Sequence, residues 1–363
     1  MKDPAKDVMV GVSINNVTGI TGKRYEIPDL VRAASEAEAM GFDAVWVHDA
    51  PLGRRTLAAY DPVTLLATIA GRTRDIALCT GIITPYLRNP VMLALQWATL
   101  HALSEGRAIM GAGLGAGTGT LINREFQALA ALRSGTDLDP AVLFKRKGRL
   151  FDECLDVMNR LWTEDKLSYA GEFYRFDEVT LGHARPSIKP LLLVAAGIYF
   201  PTEPGGPVHH GWNKDNAGKF MLGRHERVAE QGDGWLTVHV TPDEYDECYA
   251  KIAAHGAVAR PGRSYIKGYN FFVNVGDDTD ACRAEGKAHL TDFHGPPTRD
   301  DTVERWVFAG PPAVVAARMQ AYIDRGVTVF QLVIASADQF GQMKRIAEQV
   351  LPLLKRPRAR QDA

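Results

Sequence analysis

Residues 76–117 read IALCTGIITPYLRNPVMLALQWATLHALSEGRAIMGAGLGAG, and their order decides the fold. Ile76 to Ile83 is a short apolar run interrupted by Thr80 and Gly81. Asn89-Pro90 follows as a helix cap with proline at the first helical position, where the missing N–H sacrifices no bond. The helix carries an apolar stripe (Val91, Leu95, Ala98, Ala102) and stops at Ser104-Glu105-Gly106. Ala108 to Met110 is a second buried run, and the glycines of residues 111–117 end it. Two apolar strands joined by a helix form a βαβ unit, hence a parallel sheet covered on both faces. Polar and glycine residues gather just past the strand ends, where α/β folds place their chemistry.

The same rhythm runs outward in both directions. Strand-like runs are Val8 to Ile14, Ala44 to His48, Leu191 to Ala196, Trp235 to Val240, Ile266 to Val275 and Val329 to Ala335. Helices are predicted over Ile27 to Met40, with Glu36 and Glu38 facing water and Gly41 as a left-handed cap, and from Asp61-Pro62 onward. Further helices are predicted over Arg149 to Trp162, from the capping box Thr241-Pro242-Asp243-Glu244, and over Ala313 to Arg325. Residues 169–174 read as a hairpin tip. Eight strand candidates alternating with helices predict a closed (β/α)8 TIM barrel rather than an open doubly wound sheet. Residues 1–363 are expected to form one such domain, with mouth insertions at 118–147 and 198–223 and a flexible tail at 355–363.

Composition bounds the functions. A chain of 363 residues suits one barrel of about 250 residues with insertions. With 46% apolar and 23% charged residues it can bury a large core. Its 42 basic residues balance 43 acidic ones, which argues against nucleic acid or an anionic membrane as partner. Cys79, Cys154, Cys248 and Cys282 lie far apart, with no CxxC and no zinc spacing, and are expected as reduced structural thiols. No apolar run approaches a membrane span, and the N-terminus lacks a signal-like core, so the expected location is the cytoplasm.

The chain resembles the luciferase-like monooxygenase superfamily of flavin- and deazaflavin-dependent barrels. The resemblance is carried by residues 41–47 (GFDAVWV), Asp61-Pro62, residues 80–90 (TGIITPYLRNP) and residues 103–107 (LSEGR). It continues through Gly113-Leu114-Gly115, residues 171–174 (GEFY), residues 232–235 (GDGW) and residues 309–312 (AGPP). It implies a flavin across the barrel mouth, its ring against a bulge in the third strand that holds a non-proline cis peptide, here Gly81-Ile82. Thr80, Gly81, Ile82, Gly113, Gly115, Ala196 and Gly197 are the implied flavin-facing wall. A Rossmann reading of the 111–117 glycines fails, because no acidic residue ends a strand about 20 residues later.

The candidate catalytic residues are Asp49, His48 and His210. Related enzymes commonly carry an acidic residue followed by histidine at the second strand end; here Asp49 is followed by Ala50, and pleat alternation sends His48 to the opposite face from Asp49. Some deazaflavin enzymes place a glutamate where this chain has Ala116. His209 and His210 diverge and have no carboxylate at ligand spacing, so no metal is expected. Tyr199, Phe200, Trp212 and Phe220 are expected to cap an apolar substrate pocket. Arg224, in the segment leading to a helix start, is the candidate phosphate handle, Arg305 a weaker anion-binding candidate, and Arg88 a structural clamp. The missing partners at 50 and 116 favour a monooxygenase using reduced FMN and O2 on a small apolar or heteroaromatic substrate, with a separate flavin reductase as partner. The alternatives are a deazaflavin-dependent oxidoreductase transferring hydride on the same barrel and a non-catalytic flavin-binding relative. The resemblance further implies a homo-oligomer, dimer or tetramer.

Overall fold

A computed structural model describes residues 1–18, 25–49, 58–115, 145–201, 208–209, 221–222, 224–294 and 298–355. The strands that matter are β1 (Met9–Ser13), β2 (Ala44–Val47), β3 (Ala77–Thr80), β4 (Ala108–Ala112), β5 (Leu191–Ala195), β6 (Gly234–Thr237), β7 (Ile266–Val275), β8 (Val307–Gly310) and β9 (Val329–Ile334). Strands β1 to β7 and β9 pair in parallel from neighbour to neighbour; β9 pairs with β1 and β7, and β6 with β7, which closes an eight-stranded (β/α)8 barrel. The extra strand β8 pairs with the far half of β7, residues 272–275. Because every pairing in the ring is parallel, all strand C-termini open at one mouth.

The helices follow from local chemistry. They are α1 (Ile27–Ala39), α2 (Pro62–Ala70), α3 (Pro90–Leu103), α4 (Lys147–Thr163), α5 (His225–Gln231), α6 (Pro242–Ala259), α7 (Thr279–His294), α8 (Asp300–Trp306), α9 (Pro312–Ile323) and α10 (Gln339–Arg345). The expected caps are present. Asp61 accepts from Thr64 N–H, Asn89 from Val91 and Met92 N–H, and Thr241 and Glu244 close a reciprocal capping box. Gly41 holds φ +83°, and Phe42 N–H reaches back to the Ala37 carbonyl, as a left-handed cap requires.

Four local expectations are corrected. Glu38 is only partly exposed: its Oε1 accepts the N–H groups of Arg74, Asp75 and Ile76, tying α1 to the turn before β3. The inward face of α3 is Leu93, Ala94, Trp97, Ala98 and Leu100 rather than the Val91–Ala102 stripe. That helix is apolar all round, so periodicity could not choose a face and the bulky Trp97 does. Sequence reading placed α9 alone between the last two barrel strands, but α7, α8 and β8 lie there too. The 198–223 insertion carries a small antiparallel sheet, Ile198–Pro201 flanked by Val208–His209 and Met221–Leu222. Most of the 118–147 insertion falls outside the described residues. All four cysteines are free and buried. Among the described residues no helix is long and apolar enough to cross a membrane.

Candidate active site

The site is built at the mouth around the end of β3. Thr80 is fixed first: its hydroxyl donates to the Gly111 carbonyl at 3.0 Å and accepts Gly111 N–H at 3.1 Å, joining β3 to β4. Gly81 N–H still donates to Val47 of β2. The chain then bulges, and the Gly81–Ile82 peptide is cis, as the resemblance implied. Pairing resumes at Ile83, whose N–H donates to Gly111 and whose carbonyl accepts Gly113 N–H. The bulge therefore lies opposite the first glycine past β4.

Glycine is required at both ends of this contact. A Cβ on Gly81 would overlap the Gln331 side-chain amide, and one on Gly113 would overlap the Ile82 side chain. Gln331 sits mid-strand in β9 at 1% exposure, and its Nε2 donates to Ser13 Oγ at 3.0 Å and to the Gly81 carbonyl at 3.2 Å. Gly115 adopts φ +71°, and Tyr86 Oη donates to the Leu114 carbonyl, pinning the glycine run to the turn after β3. At the neighbouring strand end, Ala196 N–H donates to Leu236 and its carbonyl accepts Trp235 Nε1. Gly197 follows, partly buried.

His48 and Asp49 leave the end of β2 in different directions. The Asp49 carboxylate has no exposed surface; it pairs with both Arg88 terminal nitrogens (2.7 and 2.8 Å) and accepts Thr84 N–H. Arg88 also reaches Asp61, the cap of α2, and is the clamp that the sequence suggested. His48 Nδ1 lies 2.8 Å from the Gly81 carbonyl. A carbonyl only accepts, so Nδ1 carries the hydrogen and Nε2 presents a lone pair. Burial pulls the His48 pKa down to about 4, against the opposing pull of the Gly81 hydrogen bond. At neutral pH the ring is uncharged.

A second imidazole lines the chamber beside the first. His289 of α7 lines the same small chamber as Ser13, Asn15, His48 and Phe293. It is 2% exposed, and its Nδ1 has no hydrogen-bond partner. Leaving such a group unpaired costs on the order of 1–3 kcal/mol. Burial lowers its pKa to about 4, while Asp292 and Glu285 favour the cation and His48 opposes it. Glu285 holds α7 in place: it accepts from Asn274 of β7 and from Ser336 and Ala337 N–H just past β9. Phe293 packs edge-on to His48 with centroids 5.3 Å apart.

The other candidates lie away from this chamber or beyond the described residues. Arg224 is exposed and lies 3.4 Å from Asp152 of α4, whose other partner is Arg227. Arg305 is paired with Glu244 and donates to the His239 carbonyl, so it braces the wall between α6 and α8. His210, Trp212, Phe220, Ala50 and Ala116 lie outside the described residues, as do the side chains of Tyr199, Phe200 and His209. Among the described residues no cluster of three metal-ligating side chains exists. Sequence reasoning missed Gln331 and His289. Gln331 did leave a signal, one amide in the otherwise apolar run VFQLVI. His289 left none, because Gly286 and mixed polarity obscure the periodicity of α7.

A model for luciferase-like monooxygenases matches residues 9–296. An F420-dependent glucose-6-phosphate dehydrogenase from Intrasporangium calvum is 33% identical over 336 residues, covering 90% of this chain and 95% of that protein. The F420-dependent hydroxymycolic acid dehydrogenase of Mycobacterium tuberculosis is 26% identical over 327 residues, covering 86% and 80%. Among solved structures, an F420-dependent secondary alcohol dehydrogenase in complex with an F420–acetone adduct superposes with a TM-score of 0.73 at 17% identity, covering 96% of this chain and 99% of that one, which is a likeness of fold. With its barrel, its bulged third strand and this match, the chain belongs to the luciferase-like monooxygenase family.

Proposed function

We propose that this protein is a deazaflavin-dependent oxidoreductase that exchanges hydride with the hydroxyl-bearing carbon of a small substrate. This reverses the order of the two enzyme readings reached from sequence, where FMN-dependent oxygenation came first. The observation that carries it is His48, a neutral imidazole whose Nδ1 is committed to the Gly81 carbonyl and whose Nε2 is an open acceptor beside the bulge. The absence of histidine at 50 had counted against hydride transfer, and an imidazole two positions earlier answers it. The full-length relatives at 33% and 26% identity, both F420-dependent dehydrogenases by name, support the same reading.

The residues present fit such a coenzyme. The Gly81–Ile82 bulge faces backbone made thin by Gly113, and an orphaned imidazole nitrogen waits nearby. Gly81, Ile82, Gly113 and Gly115 would lie against the ring, with Ala196 and Gly197 at the adjoining strand end. When bound, the deazaflavin supplies the two-electron acceptor for hydride. The protein supplies the rest. Gln331 and His48 hold the Gly81 carbonyl from two sides and so fix the bulge. His48 Nε2 takes the hydroxyl proton as the carbonyl of the product forms, and returns it in the reverse direction. Asp49, held by Arg88, positions the turn through Thr84 and does not reach the substrate.

The test is titration of the purified protein with F420 and with FMN, oxidised and reduced, followed by fluorescence. Binding of F420, and its reduction by a member of a panel of primary and secondary alcohols, are expected. Binding of FMN alone, with rapid O2-dependent oxidation of the reduced form, would refute the proposal and restore the oxygenase.

A further inference from the structure

We propose that His289 is the proton outlet of this site: a proton taken by His48 from the substrate hydroxyl crosses the chamber to His289 and leaves beside Asp292. This rests on the reading of His48 as acceptor and adds where its proton goes.

Three observations carry it. First, His48 has only one nitrogen with which to trade protons, because Nδ1 is tied to the Gly81 carbonyl. A proton received on Nε2 must leave by the same atom. Second, His289 lines the same chamber and its Nδ1 is buried without a partner, an acceptor or donor held ready for something that is not a protein group. Third, α7 carries carboxylates on both sides of His289 along the chain. Asp292 and Glu285 both favour a proton on His289, and the His48 imidazole opposes it. Glu285 is an anchored anion, one helical turn before His289, and Asp292 is exposed on α7 just beyond it. Helix α7 thus leads from the chamber to an exposed carboxylate.

In the forward direction the substrate C–H bond breaks with both electrons, which go as hydride to the oxidised deazaflavin. The O–H bond breaks, its electron pair forms the second C–O bond, and its proton joins His48 Nε2. That proton then passes to His289 Nδ1 through one water in the chamber, and His289 releases a proton to solvent. Ser13 and Asn15, which also line the chamber, offer such a water its further hydrogen bonds.

Two measurements test this, one of them on the protein without coenzyme. In NMR titration of the ring resonances, the native protein should show His48 and His289 titrating as a coupled pair. In His289→Asn, His48 should titrate in a single step at higher pH; an unchanged His48 curve would overturn the relay. In turnover with F420, His289→Asn should lower kcat at least tenfold with KM within twofold, and added imidazole buffer should restore kcat in proportion to its concentration. Loss of activity without imidazole rescue, or no loss at all, would also overturn it. If no hydroxyl compound reduces F420 in the native protein, the underlying function falls and the relay with it. Native reduction with an indifferent His289→Asn sinks the relay alone.

Discussion

The buried imidazoles make the protein acid-labile in a window that carboxylates do not control, and the size of the effect follows from two groups. His48 and His289 both have pKa values drawn from 6.5 down to about 4 by burial. In the unfolded chain they return to about 6.5, so below that pH the unfolded state binds more protons and stability falls as pH falls. The loss begins near the unfolded value and is complete below the folded one. Between pH 7 and 5 each ring removes about 2 kcal/mol by this linkage, and the pair about 4 kcal/mol. For a chain of this length the unfolding entropy is roughly 0.8 kcal/mol per kelvin, so Tm should drop by about 5 °C. Carboxylates add little in this window, since they titrate lower. His101, also lowered by burial, leaves a residual slope of the same sign. The assay is thermal and urea unfolding at pH 7, 6 and 5 for the native protein, His48→Gln, His289→Gln and the double variant. Each single variant should lose somewhat more than half of the native pH dependence, because removing one ring also relieves the other. The double variant should keep a smaller slope, of the sign that His101 gives it. Equal slopes in all four proteins would refute the claim that these rings are buried and neutral.

The fasteners around the site give sharper, pH-independent outcomes. Arg107 donates to the carbonyls of Ala70, Thr73, Ile76 and Ser104 and to the Thr73 hydroxyl; Arg107→Met should cost about 3 kcal/mol or more in chemical denaturation without altering coenzyme affinity. Arg88→Met strands the unexposed Asp49 carboxylate and should cost about 3–5 kcal/mol, with much of that recovered in Arg88→Met/Asp49→Asn. Gly81→Val drives a side chain into the Gln331 amide; far-UV circular dichroism should persist while F420 affinity, read by fluorescence, falls at least tenfold. Thr241→Ala opens the capping box of α6 and should lower stability by about 1 kcal/mol, with kcat unchanged.

The fold was legible because its motifs are fasteners. In GFD, Asp43 accepts Val10 N–H and locks β1 beside β2. In LSEGR, Arg107 ties the turns beneath β3 and β4. In GDGW, Asp233 accepts Leu192 N–H and pairs with Lys189 and Arg263. In GEFY, the backbone N–H groups of residues 172–174 converge on Glu153 of α4. Such residues announce the barrel, and all but the last gather at strand starts, away from the mouth. The cis bulge was legible for the related reason that glycine at 81 is forced by Gln331. The chemistry was harder to read. The groups of the proposed chemistry come from α7, which Gly286 and mixed polarity concealed, and from one histidine whose direction pleat alternation could not settle.

That direction has a specific cause. His48 follows the last ladder residue of β2, and its backbone is held by a side chain instead of a strand: its N–H donates to Asn16 Oδ1 and its carbonyl accepts Asn16 Nδ2, both at 2.8 Å. Asn16 is buried and lies just past β1. Outside the ladder the pleat no longer dictates which way a side chain points, so His48 can turn to the Gly81 carbonyl while Asn16 keeps its backbone groups satisfied. The base of the proposed reaction therefore depends on a residue that touches neither substrate nor coenzyme. Asn16→Ala should free two buried backbone groups and release His48 from the Gly81 carbonyl; losing that bond, which favours the cation, should lower the His48 pKa further while the ring stays buried. Asn16→Asp keeps an acceptor for His48 N–H but loses the donor to its carbonyl, and should fall between. If the His48 titration is the same in Asn16→Ala as in the native chain, the Gly81 carbonyl alone orients the ring and Asn16 does not position it.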